Sequence, residues 1–182
     1  MGNREELLAG AKRCLFDKGF ARTTARDIAT ASGVSLAAIG YHFGSKEALL
    51  TEALRDAIGE WGDGVARLMG ERGDFVTTWT KVIESFAGSG PLWAIQFELV
   101  AHLARNPELR TVFAGTNSEG RAGLVELVDG DDGAADRADA ATVGAFYQVL
   151  LVGLAAVWIA EPQSVPSGAD LLAAMRTITA RS

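Results

Sequence analysis

Apolar residues recur at helical spacing along most of the chain, and no segment alternates polar and apolar residues as a β-strand does. The first helix is marked by Leu7, Leu8, Ala11, Cys14 and Leu15, with Gly19 as its C-terminal cap. Longer helical patterns follow over residues 51–69, 75–86 and 91–106. The pattern predicts an all-α protein.

Three helix starts lie close together in residues 24–46. Thr24 and Asp27 have the spacing of a capping box, in which the hydroxyl accepts from the backbone N–H three residues on and the carboxylate reaches back. Ser35 precedes a short helix and Ser45 a long one, each at the N-cap position. The sequence therefore predicts two short helices followed by a long one.

The spacing of small and branched residues in this segment matches a helix-turn-helix. Ala29 lies four residues before Gly33, and Ile39 lies six residues after it. The motif needs a small residue where its helices cross, a glycine with positive φ in the turn, and a branched apolar anchor on the second helix. An ordinary helical hairpin fits the same spacing, because the motif is short.

Farther along, glycine and proline predict the breaks between helices. Residues 88–91, Gly-Ser-Gly-Pro, predict a loop with its proline in the first turn of a new helix, residues 91–106. In that helix Glu98 is expected to face solvent, and Pro107 is expected to start the next helix. The acidic run at residues 129–133 lacks the spaced ligands of a calcium loop and is interpreted as a solvated turn.

Residues 140–160 form an uncharged segment of twenty-one positions, long enough to cross a bilayer. Its flanks carry acidic residues and no cluster of Lys or Arg to orient it in a membrane, and Gln148 lies within it. A helix buried by its own core on one side and by a second subunit on the other has the same composition. The sequence favours the subunit interface over the membrane helix.

The length allows one large or two small domains. The single cysteine, Cys14, excludes an internal disulfide framework, and residues 1–20 lack the pattern of an export signal, so we expect a cytoplasmic protein. The net charge is −6, yet residues 1–50 hold seven Lys/Arg against five Asp/Glu, and the remainder holds ten against eighteen. This asymmetry permits a basic module that binds phosphates, attached to an acidic body.

Residues 23–50, "TTARDIATASGVSLAAIGYHFGSKEALL", resemble the DNA-binding segment of the tetracycline-repressor (TetR) family. The resemblance implies a helix-turn-helix domain over residues 1–46 and a helical effector-binding and dimerisation domain over residues 47–182. It implies a regulator, most often a repressor, that binds a palindromic duplex operator as a homodimer and is released by a small molecule. In the family the last two helices, here residues 134–160 and 168–180, form a four-helix bundle with their copies. A ligand-independent regulator or an activator is the alternative.

The same resemblance implies a set of DNA-binding residues. They are Thr24, Arg26, Ser35, Leu36, Ala37, Ala38, Gly40, Tyr41, His42 and Lys46. Of these, Tyr41, His42 and Lys46 offer a hydroxyl, an imidazole N–H and an ammonium near helix ends, where phosphates are commonly bound. His42 can also be an ordinary surface histidine, and Phe43 is expected to pack in the core of the module.

The recognition helix lacks long hydrogen-bonding side chains. Gly40 stands where many relatives have an aromatic residue, and Ala37 and Ala38 cannot hydrogen-bond to bases through their side chains. Specificity is therefore expected from close approach, thymine methyl contacts, Ser35, Arg26 or DNA shape.

An effector site is expected among the aromatic residues after Leu50. Ten of the fourteen aromatic residues lie there, mixed with the polar residues Gln96, His102 and Gln148. This mixture is typical of a small-molecule cavity, although plain core packing explains aromatic residues equally well. The predicted lining residues are Trp79, Trp93, Gln96, Phe97 and Tyr147.

Enzymatic function is the main rival class. The sequence contains no nucleophile elbow, phosphate loop or paired His-Glu metal motif, so no catalytic residue, metal ligand or cofactor is predicted. Cys14 lies on the apolar face of the first helix, where an inert core role is expected. An architectural DNA-binding protein without a ligand also fits residues 1–50, but it leaves the acidic body without a purpose.

Overall fold

The computed structural model describes residues 2–69, 74–106, 110, 116–130 and 138–181. The predicted helix start at Pro107 and residues 131–133 of the predicted acidic turn lie outside these ranges. All regular structure in the described residues is helical, which confirms the predicted all-α class. The helices are α1 (Asn3–Lys18), α2 (Ala25–Ser32), α3 (Leu36–Phe43), α4 (Lys46–Met69), α5 (Phe75–Arg105), α6 (Thr116–Asp129), α7 (Ala140–Ala160), a 3-10 turn (Pro162–Ser164) and α8 (Gly168–Thr179).

The chain forms two compact units. The first contains residues 1–60 and 91–114, and the second contains residues 61–90 and 115–182. The division falls within α4 and within α5. The domain boundary predicted after residue 46 was placed at the end of the sequence motif, whereas the two units are defined by compactness. The predicted boundary therefore stays a prediction.

The turns around α1, α2 and α3 depend on glycines with positive φ. Gly19 ends α1 with φ 82°, and Gly33 ends α2 with φ 72°, both as predicted. Helices α1 and α2 cross closely, because a Cβ on Gly10 would lie 2.8 Å from Ser32 Cβ. Glycine at these positions therefore brings three short helices into one small module.

The core of the first unit is largely aliphatic and includes the predicted anchors. Its fully buried side chains include Leu7, Leu15, Phe20, Ile28, Leu49 and Leu50. Ile39, the predicted anchor of the second helix in the motif, is also buried. Cys14 is buried among these residues, and its burial raises the pKa of the thiol, which favours the inert core role.

The second unit is held together by two close helix approaches. A Cβ on Gly144 in α7 would lie 2.8 Å from the Arg121 carbonyl of α6, and one on Gly168 would lie 2.4 Å from the Val76 carbonyl of α5. Its large buried residues include Trp79, Val82, Phe86, Val125, Tyr147, Leu151 and Leu154. Small residues at the crossings thus let α5, α6, α7 and α8 share one core.

The predicted loop at residues 88–91 is wrong, because α5 continues through Pro91 without a break. A proline inside a helix costs about 3 kcal/mol, since it removes one backbone hydrogen bond and crowds the preceding turn. Phe86 before it and Leu92 after it are both buried, and their burial holds the helix on either side. The Ser89 hydroxyl also donates to the Ser85 carbonyl at 2.8 Å, which adds a bond within the weakened turn.

The uncharged segment forms helix α7, as its pattern predicts. Among the described residues it is the one helix long and apolar enough to cross a membrane by length and composition, with a mean hydropathy of 2.0. Phe146, Val149, Val157 and Ile159 on this helix are exposed, whereas Tyr147 and Leu151 are buried. One side of α7 therefore packs in the second unit, and the other presents apolar side chains.

Candidate nucleic-acid interface

Helix α2 begins with a complete capping box beside a lysine. The Thr24 hydroxyl accepts from the Asp27 backbone N–H at 3.1 Å, and the Thr24 N–H donates to Asp27 Oδ2 at 2.8 Å. Lys18 Nζ donates to Asp27 Oδ1 at 2.5 Å. These bonds, the one from Lys18 above all, hold the pKa of Asp27 well below its usual range. The predicted cap is confirmed, and it fixes where α2 starts.

Helix α3 presents one side to solvent and buries the other. Its exposed residues, counted from the N-cap, are Ser35, Leu36, Ala37, Gly40 and Tyr41. Ala38 is half-buried, and Ile39 is only 4% exposed. Ser35 occupies the N-cap position as predicted, but its hydroxyl makes no capping bond to the helix. The predicted recognition surface is therefore accessible, and its side chains are small.

The end of α3 carries a cluster of three aromatic rings. Tyr41 is 86% exposed, and its ring meets the half-buried His42 edge-on with centroids 4.9 Å apart. Phe43 is half-buried, with the Arg4 guanidinium 5.0 Å above its ring centroid. The cluster fixes the last turn of α3 and leaves the Tyr41 side chain accessible to a partner.

Most basic side chains of residues 1–50 already have partners. Those with a hydrogen bond or ion pair are Arg4, Lys12, Arg13, Lys18, Arg22 and Lys46. Arg26 is exposed, and among the described residues no side chain or backbone group forms a hydrogen bond or ion pair with it. A paired cation must give up a partner to bind phosphate, so Arg26 is the most readily available of the seven.

Lys46 joins the start of α4 to the segment before α2. Its ammonium donates to the Thr23 carbonyl at 3.1 Å and lies 3.3 Å from Glu47 Oε1. Next to it, the Ser45 hydroxyl accepts from the Ala48 N–H at 3.0 Å, which confirms the predicted cap of the long helix. An ammonium has three N–H donors, so Lys46 retains one for a further acceptor.

Glu98 is not the solvent-facing residue that the sequence predicts. Its carboxylate accepts from the Phe20 N–H at 2.8 Å and from the Ala21 N–H at 3.0 Å, just after α1 ends. It is the only acidic residue in residues 91–106, which is the sequence signal that identifies it as unusual. The expectation failed because its partners lie 77 and 78 residues away in the chain.

Gly19 and His102 complete this connection within the first unit. A Cβ on Gly19 would lie 2.6 Å from Glu98 Oε2, and the positive φ of Gly19 also disfavours other residues. The His102 ring packs against Phe20 with centroids 5.4 Å apart. The second half of α5 therefore positions the α1–α2 connection, and through it the start of α2.

The predicted effector residues divide between the two units. Trp79 and Tyr147 are buried in the second unit with ring centroids 6.0 Å apart, and the Tyr147 hydroxyl donates to Asp129 Oδ1 at 2.7 Å. Trp93, Gln96 and Phe97 belong to the first unit, where Trp93 is buried and the other two are half-buried. Their convergence on one cavity stays a prediction. No cluster of His, Cys, Asp and Glu suited to a metal ion occurs in the described ranges.

Comparison with known families identifies both halves of the chain. Residues 7–53 match the family described as "Bacterial regulatory proteins, tetR family". Residues 70–181, more than half of the chain, match "Tetracyclin repressor-like, C-terminal domain". The chain belongs to the TetR family. Members of this family are transcriptional regulators and not enzymes.

Relatives within the TetR family include proteins described as repressors. The HTH-type transcriptional repressor KstR2 of Rhodococcus jostii is 34% identical over 124 residues, which cover 66% of this chain and 60% of that protein. The HTH-type transcriptional regulator TtgR of Pseudomonas putida is 42% identical over 64 residues, 35% of this chain and 30% of that protein. The chain thus spans less than two thirds of the length of these curated relatives.

Solved structures of other proteins share the fold over nearly the whole chain. A transcriptional regulator from Rhodococcus sp. RHA1 has a TM-score of 0.68 at 19% identity, covering 95% of this chain and 94% of that one. The multidrug binding protein EbrR, solved with imidazole, has a TM-score of 0.58 at 24% identity, covering 90% and 87%. At these identities the likeness concerns the fold alone.

Proposed function

We propose that the chain is a ligand-responsive transcriptional repressor that binds a palindromic duplex operator as a homodimer. The observation that supports it best is the surface of α3, where Tyr41 is 86% exposed while Ile39 is buried. With Arg26 on α2, this surface offers a hydroxyl and a cation to phosphates. Ala37 and Gly40 are small enough for close approach to base edges, so sequence is read through van der Waals contact and DNA shape.

The homodimer is proposed from the apolar side of α7 and α8. Val149 on α7 is 73% exposed and Ile178 on α8 is 65% exposed, and a second copy of the chain would cover both. Two-fold symmetry of such a dimer places two α3 helices in major grooves about one helical turn apart, which is why the operator is expected to be palindromic. This arrangement also accounts for the apolar α7 in a cytoplasmic protein.

The effector is proposed to be a small molecule bound in the helical body. The match of residues 70–181 to the family described as "Tetracyclin repressor-like, C-terminal domain" supports this part of the proposal. A ligand releases DNA only to the extent that it binds the DNA-incompetent form more tightly than the competent form. A compound that binds the body should therefore weaken operator binding measurably.

Selection from a pool of random duplexes tests the DNA-binding part of the proposal. The expected result is enrichment of an inverted repeat, with affinity at least a thousandfold above that for unrelated duplex of equal length, roughly the margin typical of specific regulators. Transcription in vitro from a promoter containing the repeat should then fall when the protein is added. No enriched sequence would overturn the proposal, and increased transcription would indicate an activator.

A further inference from the structure

Two consecutive buried residues of α5 have polar atoms without a hydrogen-bond partner. These atoms are Thr78 Oγ1 and Trp79 Nε1, and no described residue pairs with either of them. Both side chains are only 1% exposed, so bulk water does not reach them. Buried polar atoms in native proteins are nearly always paired, because an unpaired one destabilises the folded state. The pair therefore calls for a physical explanation.

Similar side chains elsewhere in the chain are paired. The hydroxyls of Thr51 and Thr80 each donate to the carbonyl four residues earlier in their helix, at 2.7 and 2.8 Å. The indole N–H of Trp61 donates to the Ser85 hydroxyl at 3.0 Å. A helical threonine generally has this local option, and Thr78 does not use it. The unpaired atoms are thus a local feature of residues 78 and 79.

The described ring contacts of Trp79 within the second unit are with other aromatic side chains. Its ring lies 6.0 Å from the Phe75 ring and 6.0 Å from the Tyr147 ring, measured between centroids. The Tyr147 hydroxyl already donates to Asp129, and α7 contains no charged residue. No charged side chain is buried in the part of the chain that the structure describes, so a charged ligand here would find no buried counter-ion and would not be stabilised.

We propose that Thr78 Oγ1 and Trp79 Nε1 form the polar anchor of the effector site, which takes an uncharged, largely apolar molecule with a carbonyl oxygen. The indole N–H can only donate, so the ligand atom facing it must be an acceptor, and the threonine hydroxyl can donate or accept. The assignment rests on the ligand-responsive repressor proposed above. It requires residues of the second unit only.

Two pairs of compounds isolate the hydrogen bond. Acetophenone is compared with α-methylstyrene, and benzophenone with 1,1-diphenylethylene, because each hydrocarbon replaces the carbonyl by C=CH2 and keeps the shape. The full-length chain with ¹⁵N-labelled tryptophan is titrated with each compound, and the indole N–H resonances are followed by NMR. At least one ketone should shift the Trp79 resonance and bind roughly fivefold to tenfold more tightly than its hydrocarbon, the ratio expected of one neutral hydrogen bond.

Variants at neighbouring threonines separate this anchor from general packing. Thr78→Val removes the unpaired hydroxyl, so it should raise the melting temperature of the ligand-free protein and weaken ketone binding without affecting the hydrocarbons. Thr80→Val is the matched control, since that hydroxyl is already paired, and it should leave ketone binding unchanged. Trp79→Phe should equalise ketone and hydrocarbon. If Trp79→Phe does not fold, the comparison of the Thr78 and Thr80 variants still tests the proposal. In that case the Trp79 indole resonance is assigned from the spectra of Trp→Phe variants at the other three tryptophan positions.

Three outcomes would overturn the proposal. One is equal binding, or no binding, of both members of each pair. A second is a long-lived water contacting the Trp79 indole N–H together with a lower melting temperature for Thr78→Val, because an internal water would then pair both atoms. The third is ketone binding that leaves operator affinity unchanged, which would remove the effector role. The selection of duplexes uses no ketone, so a failure of the repressor proposal can be distinguished from a failure of the effector-site proposal.

Discussion

The helix-turn-helix module, residues 3–50, and the second compact unit satisfy their polar groups in different ways. In the module, caps form between residues three apart, as between Thr24 and Asp27. In the second unit, Arg121 pairs with Gln148 across 27 residues, and Thr78 and Trp79 leave polar atoms unpaired. The helix starts of the module are thus fixed by local bonds, whereas the second unit has buried polar atoms that a ligand can pair.

The two regions also differ in the chemistry of their exposed surfaces. The module exposes Tyr41 and Arg26 beside small side chains, and the second unit exposes Val149 and Ile178. A hydroxyl and a cation suit phosphates, while an apolar helix face suits another protein surface. We therefore expect the first region to bind DNA and the second to bind another copy of the chain. The variants below test these two assignments.

The largest effect is expected from Val149→Arg on the apolar face. An unpaired charge buried at an interface costs about 3 kcal/mol or more, so dimerisation should weaken roughly a hundredfold or more. Light scattering at micromolar concentration gives the readout, with Ala66→Arg on an exposed position of α4 as control. A monomeric unmodified protein would remove the assignment.

Glu98→Ala should have the next largest effect, because it leaves the Phe20 and Ala21 N–H groups without their acceptor. We expect the free energy of unfolding to fall by about 1 kcal/mol, because the Phe20 donor is part-buried and the Ala21 donor is exposed, and operator affinity to fall with it. Glu98→Gln keeps one acceptor oxygen and should lose less. Urea unfolding measures the change, and an effect no larger than that of the surface variant Glu84→Ala would show that the connection is unimportant.

Arg26→Ala should weaken binding to all duplexes and lower the log–log salt dependence of affinity by about one. Lys46→Ala should change that slope less, because the Lys46 ammonium is already paired with Glu47. Tyr41→Phe removes a neutral donor and should lower affinity without changing the slope. Fluorescence anisotropy at several salt concentrations decides among these, and loss confined to one base-pair change would contradict a backbone-positioning role.

The smallest effect concerns pH. The folded chain lowers the pKa of Asp27, so the unfolded chain binds more protons in the range between the two pKa values. The stabilisation is present above the ordinary aspartate pKa of about 4 and is lost as the pH falls below it. Unfolding free energy should therefore fall between about pH 5 and pH 3 more steeply in the unmodified protein than in Asp27→Asn. Equal slopes would show that the Lys18 and Thr24 bonds contribute nothing.

The fold class and most of the DNA-binding module could be predicted from the sequence because their determinants are local. The Thr24 and Ser45 caps and the glycine turns at Gly19 and Gly33 all act within four residues. The pattern of apolar residues also predicted which side of α3 is exposed, because Ile39 lies on the buried side. Local capping and periodicity are what a single sequence records well.

The failures all involve partners distant in the chain. The break predicted at Pro91 did not occur, because burial of Phe86 and Leu92 outweighed the local preference. Glu98 was assigned to solvent because its partners follow α1. Nothing in the sequence distinguished Thr78 from Thr80, although only Thr80 hydrogen-bonds within its helix. Tertiary contacts determine the structure at these residues, and such contacts cannot be predicted from a single sequence.

The most direct test of the account is the stoichiometry and symmetry of the complex with DNA. Native mass spectrometry and anisotropy are applied to the selected inverted repeat, to a single half-site, and to a scrambled duplex at about 150 mM salt. The account predicts two chains on the inverted repeat, with affinity at least about a thousandfold above that for the scrambled duplex. A single chain per duplex, or equal affinity for repeat and scrambled sequence, would contradict a dimeric operator-binding repressor.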